Sequence, residues 1–126
     1  MFKHSKAFSG FSVDDLQKAK EFYSETLGLT VVDNPMGLIE LHFNDATRII
    51  AYPKPNHVPA TFTILNFPVD NIDETVDKLT SLGVQFEQYD GNIRTDEKGI
   101  CRSDQGTSIA WFKDPAGNIL SVIEEE

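Results

Sequence analysis

The chain holds a single cysteine, Cys101, so no disulfide can form within it, and a disulfide-stapled secreted scaffold is excluded. A reducing compartment is the simple reading. No apolar run approaches the roughly 20 residues needed to cross a bilayer as a helix. The opening MFKHSKAFSG has two lysines but no apolar stretch behind them, so a secretory signal is not expected and a cytoplasmic location is. Basic residues are scarce: 11 Lys and Arg are scattered among 20 acids, for a formal net charge of -9. Nucleic acid and anionic membrane surfaces, which need clustered positive charge, are therefore poor partners. The acidity serves solubility and would also favour a cationic ligand. There is no glycine-rich phosphate loop and no nucleophile elbow. What remains is 126 residues, 40% apolar and 25% charged, enough for one globular domain with its own core.

That domain is built on an internal repeat. A short apolar strand, Ala7 to Val13, leads into VDDLQKAKEFYSETLGL. A second strand, Phe62 to Val69, leads into VDNIDETVDKLTSLGV. In each copy a strand ends in Val-Asp, a helix follows, and Leu-Gly plus an aliphatic residue closes it. Asp14 is the expected cap of the first helix, with Gln17 in the position of a capping-box partner. Leu16, Ala19, Phe22, Tyr23 and Leu27 then fall on one face. Asp70 or Asn71 caps the second helix, whose stripe is Ile72, Val76, Leu79 and Leu82. Gly28 and Gly83 suit the left-handed position after a helix.

Past each helix the period changes to two. In the first copy Leu29 to Val32 is a short strand, LIELHF alternates, Asn44-Asp45 turns the chain, and RIIAYP returns. In the second, Val84 to Glu87 is the short strand, and SIAWF and NILSVI form a hairpin through Asp114-Pro115-Ala116-Gly117. Each copy reads β-α-β-β-β, an α+β fold. The proline-rich YPKPNHVP lies between the copies and cannot donate ladder hydrogen bonds at its prolines. It sets module one at about residues 1–54 and module two at about 60–126 of a single domain. The polar segment from Tyr89 to Thr107 is a long loop, read either as a binding loop or as a surface excursion.

Paired modules with these motifs resemble the vicinal-oxygen-chelate superfamily, which includes glyoxalase I, bleomycin-resistance proteins, fosfomycin-resistance enzymes and extradiol dioxygenases. VDDLQKAKEFYSETLGL is similar to its first-helix motif, and IAWFKDPAGNILSVIE to its C-terminal hairpin. The resemblance implies two tandem βαβββ modules whose curled mixed sheets form a cleft, with the helices outside. It specifies a fold and not an activity, because many chemistries occupy this fold.

The resemblance also says where metal ligands belong: one on each of four strands. Counting from Val13 and Val69, the first-strand positions fall on Phe8 and Ile64. The hairpin positions fall on Ser121 and, by internal alignment, on Ala51, with a one-residue slip to Ile50 left open. Transition metals need imidazole, carboxylate or thiolate donors, and these residues supply none. No metal and no cofactor are expected. His42 and Glu40 share a strand face, but two ligands do not complete a usual site, so a hydrogen-bonded pair is favoured over a metal.

Strand alternation lists the cleft: Phe8, Gly10 and Ser12; Glu40, His42, Ile49 and Ala51; Phe62, Ile64 and Asn66; Ile109, Trp111, Ile119, Ser121 and Ile123. It is mostly apolar with a few polar handles, the usual make-up of a small-molecule pocket. Trp111 either stacks on a planar or cationic ligand or is buried in the core or a subunit interface. Asn66 suits a ligand carbonyl or amine, and Glu40 a ligand cation. Cys101, Arg94 and Arg102 read as loop residues, the arginines in salt pairs. The leading functional reading is a metal-independent binding protein for an aromatic or cationic small molecule, resembling bleomycin-resistance proteins. The alternatives are a glyoxalase-type lyase or isomerase, or an extradiol-type dioxygenase, with an atypical site, and an interaction module with a vestigial cleft. A homodimer is expected, since open sheet edges need cover.

Overall fold

A computed structural model describes residues 1–125. The chain divides into two compact units, Met1–Val58 and a second beginning at Pro59. Each holds one helix and one four-stranded mixed sheet.

In the first unit the strands are β1 (Gly10–Val13), β2 (Thr30–Asn34), β3 (Leu38–His42) and β4 (Arg48–Pro53), in the order β1-β4-β3-β2. β1 and β4 are parallel and the remaining pairs antiparallel. β1 is shorter than the expected Ala7 to Val13. The helix α1 (Leu16–Glu21) is capped by Asp15, whose side chain accepts from the Lys18 amide at 3.1 Å; Asp14, the expected cap, lies one residue too early. Two adjacent aspartates offer the same chemistry, and the backbone geometry selects the second. α1 runs on into a π-helical turn, Phe22–Thr26, which the 3.6-residue spacing does not reveal. Gly28 follows at φ +74°, in the left-handed region where a side chain would be strained. Ala19 and Tyr23 are buried beneath the helix, and Phe11 and Phe22 meet the Tyr23 ring edge-on or tilted at 5.8 and 5.3 Å.

β3 alternates as its sequence requires. Ile39 and Leu41 are buried at 1% and 0% exposure, whereas Leu38, Glu40 and His42 lie on the other face. Register then fixes β4. Ala51 pairs with Ile39, and Ile49 with Leu41, so both share the buried face. The expected open-face positions Ala51 and Ile49 are therefore corrected to Ile50 and Arg48, which pair with Glu40 and His42. A β-carbon on Gly10 would come within 2.8 Å of the Ile50 side chain, so those two residues also share a face.

In the second unit the strands are β5 (Thr63–Pro68), β6 (Ile100–Arg102), β7 (Ser108–Lys113) and β8 (Ile119–Glu124), ordered β5-β8-β7-β6. The helix α2 (Ile72–Ser81) is capped by Asn71, which accepts from the Glu74 amide at 3.1 Å. Ile72 and Val76 are buried, but Leu82 is half exposed and does not extend the stripe. The expected strand Val84 to Glu87 reduces to one isolated bridge, Phe86 to Phe112. The place beside β7 that β2 holds beside β3 is taken by β6, from within the segment read as a loop. One side-chain anchor and one close backbone approach accompany the change. Asp96 accepts from the Lys98 and Ile100 amides at 2.9 Å each, folding the chain back before β6. Gly99, at φ +91°, passes so close that a β-carbon there would lie 2.7 Å from the Phe86 side chain.

The β7–β8 turn is held by Asp114, which is 4% exposed. Its carboxylate accepts from the amides of Ala116 and Asn118 and from the Asn118 side chain, at 2.9 to 3.0 Å. Ala110, Phe112, Leu120 and Val122 form the buried face of this hairpin. No helix among the described residues is long and apolar enough to cross a membrane.

Candidate functional site

In the second unit the face opposite Ala110 and Phe112 carries Trp111, Ile109, Ser121 and Ile123. Trp111 pairs directly with Ser121, and Ser121 with Asn66 of β5. The Ser121 hydroxyl is fully buried and donates to Asn66 Oδ1 at 2.6 Å. That bond uses the carbonyl of Asn66 which the sequence offered to a ligand.

β5 does not follow simple alternation. Thr63 pairs with Ile119 and Leu65 with Leu120, so Ile64 falls at a register shift. The shift brings Thr63, not Ile64, beside Trp111 and Ile119 in the wall of a hollow of about 620 Å³. Phe62 also lines this hollow and is 66% exposed.

The third wall comes from the segment after Phe86. Tyr89 and Thr95 bind each other through both backbone and side chain: the Thr95 amide donates to Tyr89 O at 3.0 Å, and the Tyr89 amide to Thr95 Oγ1 at 2.8 Å. Asp90 bridges to Arg94, so Tyr89 to Ile93 forms a tight projecting tip that lines the hollow. The Tyr89 ring meets Trp111 edge-on, with centroids 5.6 Å apart and planes at 64°. Three aromatic residues, Trp111, Tyr89 and Phe62, and the acidic Asp90 thus line one opening. Tyr89 and Asp90 escaped the sequence reading, which stopped at strand positions; the aromatic-acidic pair at the start of a long loop was the available signal.

The loop is fastened at its far end. Arg102 donates to both Asp73 carboxylate oxygens, at 2.8 and 3.3 Å, and Lys98 reaches Asp73 at 3.2 Å and Asp77 at 2.9 Å. The hydrogen bonds from Arg102 and then Lys98 hold the Asp73 carboxyl below its usual range. Arg102 also pairs with Asp96 at 3.4 Å, as the expected salt pairing has it.

In the first unit Glu40 is the hub of a separate polar cluster. Asn34 Nδ2 donates to its Oε2 at 2.8 Å, His42 Nε2 lies 2.8 Å from Oε1, and Arg48 lies 3.5 Å from Oε2. The Asn34 hydrogen bond, then that from His42, with the Arg48 charge, hold the Glu40 carboxyl below its ordinary value of 4.5. The Arg48 guanidinium sits over the Phe8 ring, 4.0 Å from its centroid, a cation–π contact. Ser12, on the neighbouring strand, is 2.6 Å from His57 Nδ1.

These positions do not fit a transition metal. The resemblance points to Phe8, Ile64, Ser121 and Ala51, or Ile50 by a one-residue slip, as the ligand positions; none offers an imidazole, carboxylate or thiolate, and the Ser121 hydroxyl donates to Asn66. Among the described residues no three His, Cys, Asp or Glu side chains gather into a metal-holding group.

Comparison with known proteins accords with the fold. A curated relative, the uncharacterized protein YraH of Bacillus subtilis (strain 168), is 27% identical over 125 residues, covering 87% of this chain and 90% of its own. A solved member of the glyoxalase/bleomycin resistance protein/dioxygenase superfamily from Sphaerobacter thermophilus DSM 20745 superposes with a TM-score of 0.72 at 25% identity, covering 94% of this chain and 96% of its own. A lactoylglutathione lyase from Agrobacterium tumefaciens gives 0.70 at 22% identity, over 97% and 95% of the two chains, and speaks to the fold alone. The family model for the Glyoxalase/Bleomycin resistance protein/Dioxygenase superfamily matches residues 7–122, and the chain belongs to that superfamily.

Proposed function

We propose that this protein binds a small aromatic or cationic compound without a metal, in the hollow of its second unit. The observation that carries the reading is the convergence of Trp111, Tyr89, Phe62 and Asp90 on one opening of about 620 Å³. Such a volume suits a drug-sized ligand. Aromatic faces attract flat rings and cations, and a carboxylate beside them adds charge for the latter. A net charge of -9 works in the same direction. The unsuitable residues at the family's ligand positions support binding without a metal over a metal-dependent lyase or dioxygenase. The family model spans both units, which supports one domain of two modules. The reading goes with a cytoplasmic homodimer, testable by fractionation and by light scattering at micromolar concentration.

Trp111 is the sole tryptophan, so its emission reports on the hollow directly. Titration with a panel of planar cations, neutral aromatics and matched anions should quench or shift it, cations most strongly. Emission unmoved by every cation and neutral aromatic in the panel, or moved most by the anions, refutes the reading.

A further inference from the structure

The Glu40 cluster has no part in the proposed binding hollow, yet it holds the components of a proton-transfer site. Glu40 is ionised, since its neighbours hold its carboxyl below the ordinary value. A carboxylate accepts only, so His42 Nε2 must carry the proton in the 2.8 Å contact with Glu40 Oε1. In the neutral ring this leaves Nδ1 as a bare lone pair. The His42 side chain is 38% exposed, and among the described residues its hydrogen bond to Glu40 runs through Nε2 and not Nδ1. Both Glu40 oxygens are engaged, by His42 on one side and by Asn34 and Arg48 on the other, and its side chain is 15% exposed. The carboxylate is therefore fixed, and it fixes the ring's tautomer and direction.

Beside this base stands a cation with capacity to spare. Arg48 pairs directly across the ladder from His42, and directly opposed side chains lie about 5 Å apart at their β-carbons. It spends one nitrogen on Glu40 at 3.5 Å, stacks on Phe8, and keeps 41% of its side chain exposed. The planar fork of N–H donors on a guanidinium matches a carboxylate, and the exposed part of Arg48 can receive one.

We propose that His42 is a general base toward a small 2-oxo acid, with Arg48 receiving its carboxylate and Glu40 acting as a positioning residue. The C3–H bond breaks and its proton passes to His42 Nδ1. The electron pair moves into the C2–C3 bond as the carbonyl becomes an enolate oxygen beside Arg48. Glu40 supports the imidazolium through Nε2–H. Return of a proton from Nδ1 to carbon restores the ketone, and delivery to oxygen gives the enol. The step is redox-neutral and needs no co-reactant. General bases contribute about 100- to 10,000-fold to such transfers.

The test is proton NMR of pyruvate in D2O with the full chain, following loss of the methyl signal. Wild type should exchange the methyl protons faster than buffer alone, and His42→Gln should lower that rate at least about 100-fold. Glu40→Gln should reduce the saturated rate with little change in the half-saturating pyruvate concentration, whereas Arg48→Gln should raise that concentration. Circular dichroism of each variant checks the fold. Wild-type exchange no faster than buffer overturns the proposal, as does an unchanged rate in folded His42→Gln. Loss of rate and half-saturation alike in all three variants would mark the cluster as structural and overturn it too.

Discussion

Trp111 and Phe112 are neighbours in sequence with opposite duties, and substituting each by alanine should separate binding from stability. Phe112 is fully buried, packs edge-on against Phe86 at 5.4 Å and pairs across the hairpin with Leu120. Truncating a buried phenylalanine costs about 3–5 kcal/mol, from lost transfer energy and the cavity left behind. For a chain of this size each kcal/mol lowers Tm by about 3–5 °C, so Phe112→Ala should fall by about 10–20 °C. That is a large part of the roughly 5–15 kcal/mol that holds a domain together. Phe112→Leu, at about 1–2 kcal/mol, serves as the milder measurement if the alanine variant is partly unfolded. Trp111 is only part-buried, and its defined partner is the Tyr89 ring. An aromatic pair contributes about 0.5–1.5 kcal/mol beyond area, so Trp111→Ala should cost about 1–2 kcal/mol in stability. Its binding loss should be about 1–3 kcal/mol, or 5- to 150-fold in Kd, if the ring stacks on the ligand. Urea and thermal melts measure the first quantity. Calorimetric titration with the cation selected by fluorescence measures the second. Equal destabilisation by the two alanine variants, or unchanged affinity in Trp111→Ala, would refute the division of this strand into a packing face and a binding face.

Asp114→Ala removes a buried carboxylate that accepts from the Ala116 and Asn118 amides and from the Asn118 side chain. A loss of about 3–5 kcal/mol in urea melts is expected, with Asp114→Asn intermediate because its remaining oxygen still accepts. Glu40 gives a pH signature. Its folded pKa lies below 4.5, so its contribution to stability is complete above that pH and is lost as pH falls through the lower folded value. Glu40→Gln should therefore show a smaller fall in Tm than wild type between pH 5 and the acid limit of the melt; an identical fall would show that the carboxylate is not held by Asn34, His42 and Arg48.

Much of the fold was legible because period and punctuation agree in this sequence. The Asn71 cap, Gly28, Gly83 and the alternation of β3, β7 and β8 each mark their elements locally, whereas the first cap falls one residue past the expected Asp14. The failures lie where long-range pairing overrides local pattern. Val84 to Glu87 carries an apolar alternation, yet it meets β7 at one bridge, Phe86 to Phe112, and through the Glu87 amide to Trp111 O, while Ile100 to Arg102 forms the ladder with Ser108 to Ala110 and is held there by Asp96 and the Asp73 ion pairs. Nothing near Val84 announces that a distant segment supplies the ladder. Ile64 is similar: the register shift in β5 is a property of its pairing with β8, and single-strand alternation cannot see it.

The placing of β4 shows how much hangs on one residue of register. RIIAYP is apolar at three successive positions, so alternation alone permits either face. Internal alignment with the C-terminal hairpin chose Ala51 for the open side. The structure chooses Ile50, and the reason is steric. Ala51 is fully buried opposite Ile39 on the helix side, where a methyl group suffices. The same register sends Arg48 outward beside His42, onto Glu40 and the Phe8 ring. A one-residue slip would have buried this guanidinium, at a cost of several kcal/mol, and left Glu40 and Phe8 without it. Thus the small residue that fits under the helix also fixes where the charge must go. The polar cluster of the first unit is a consequence of core packing on the reverse of the same strand.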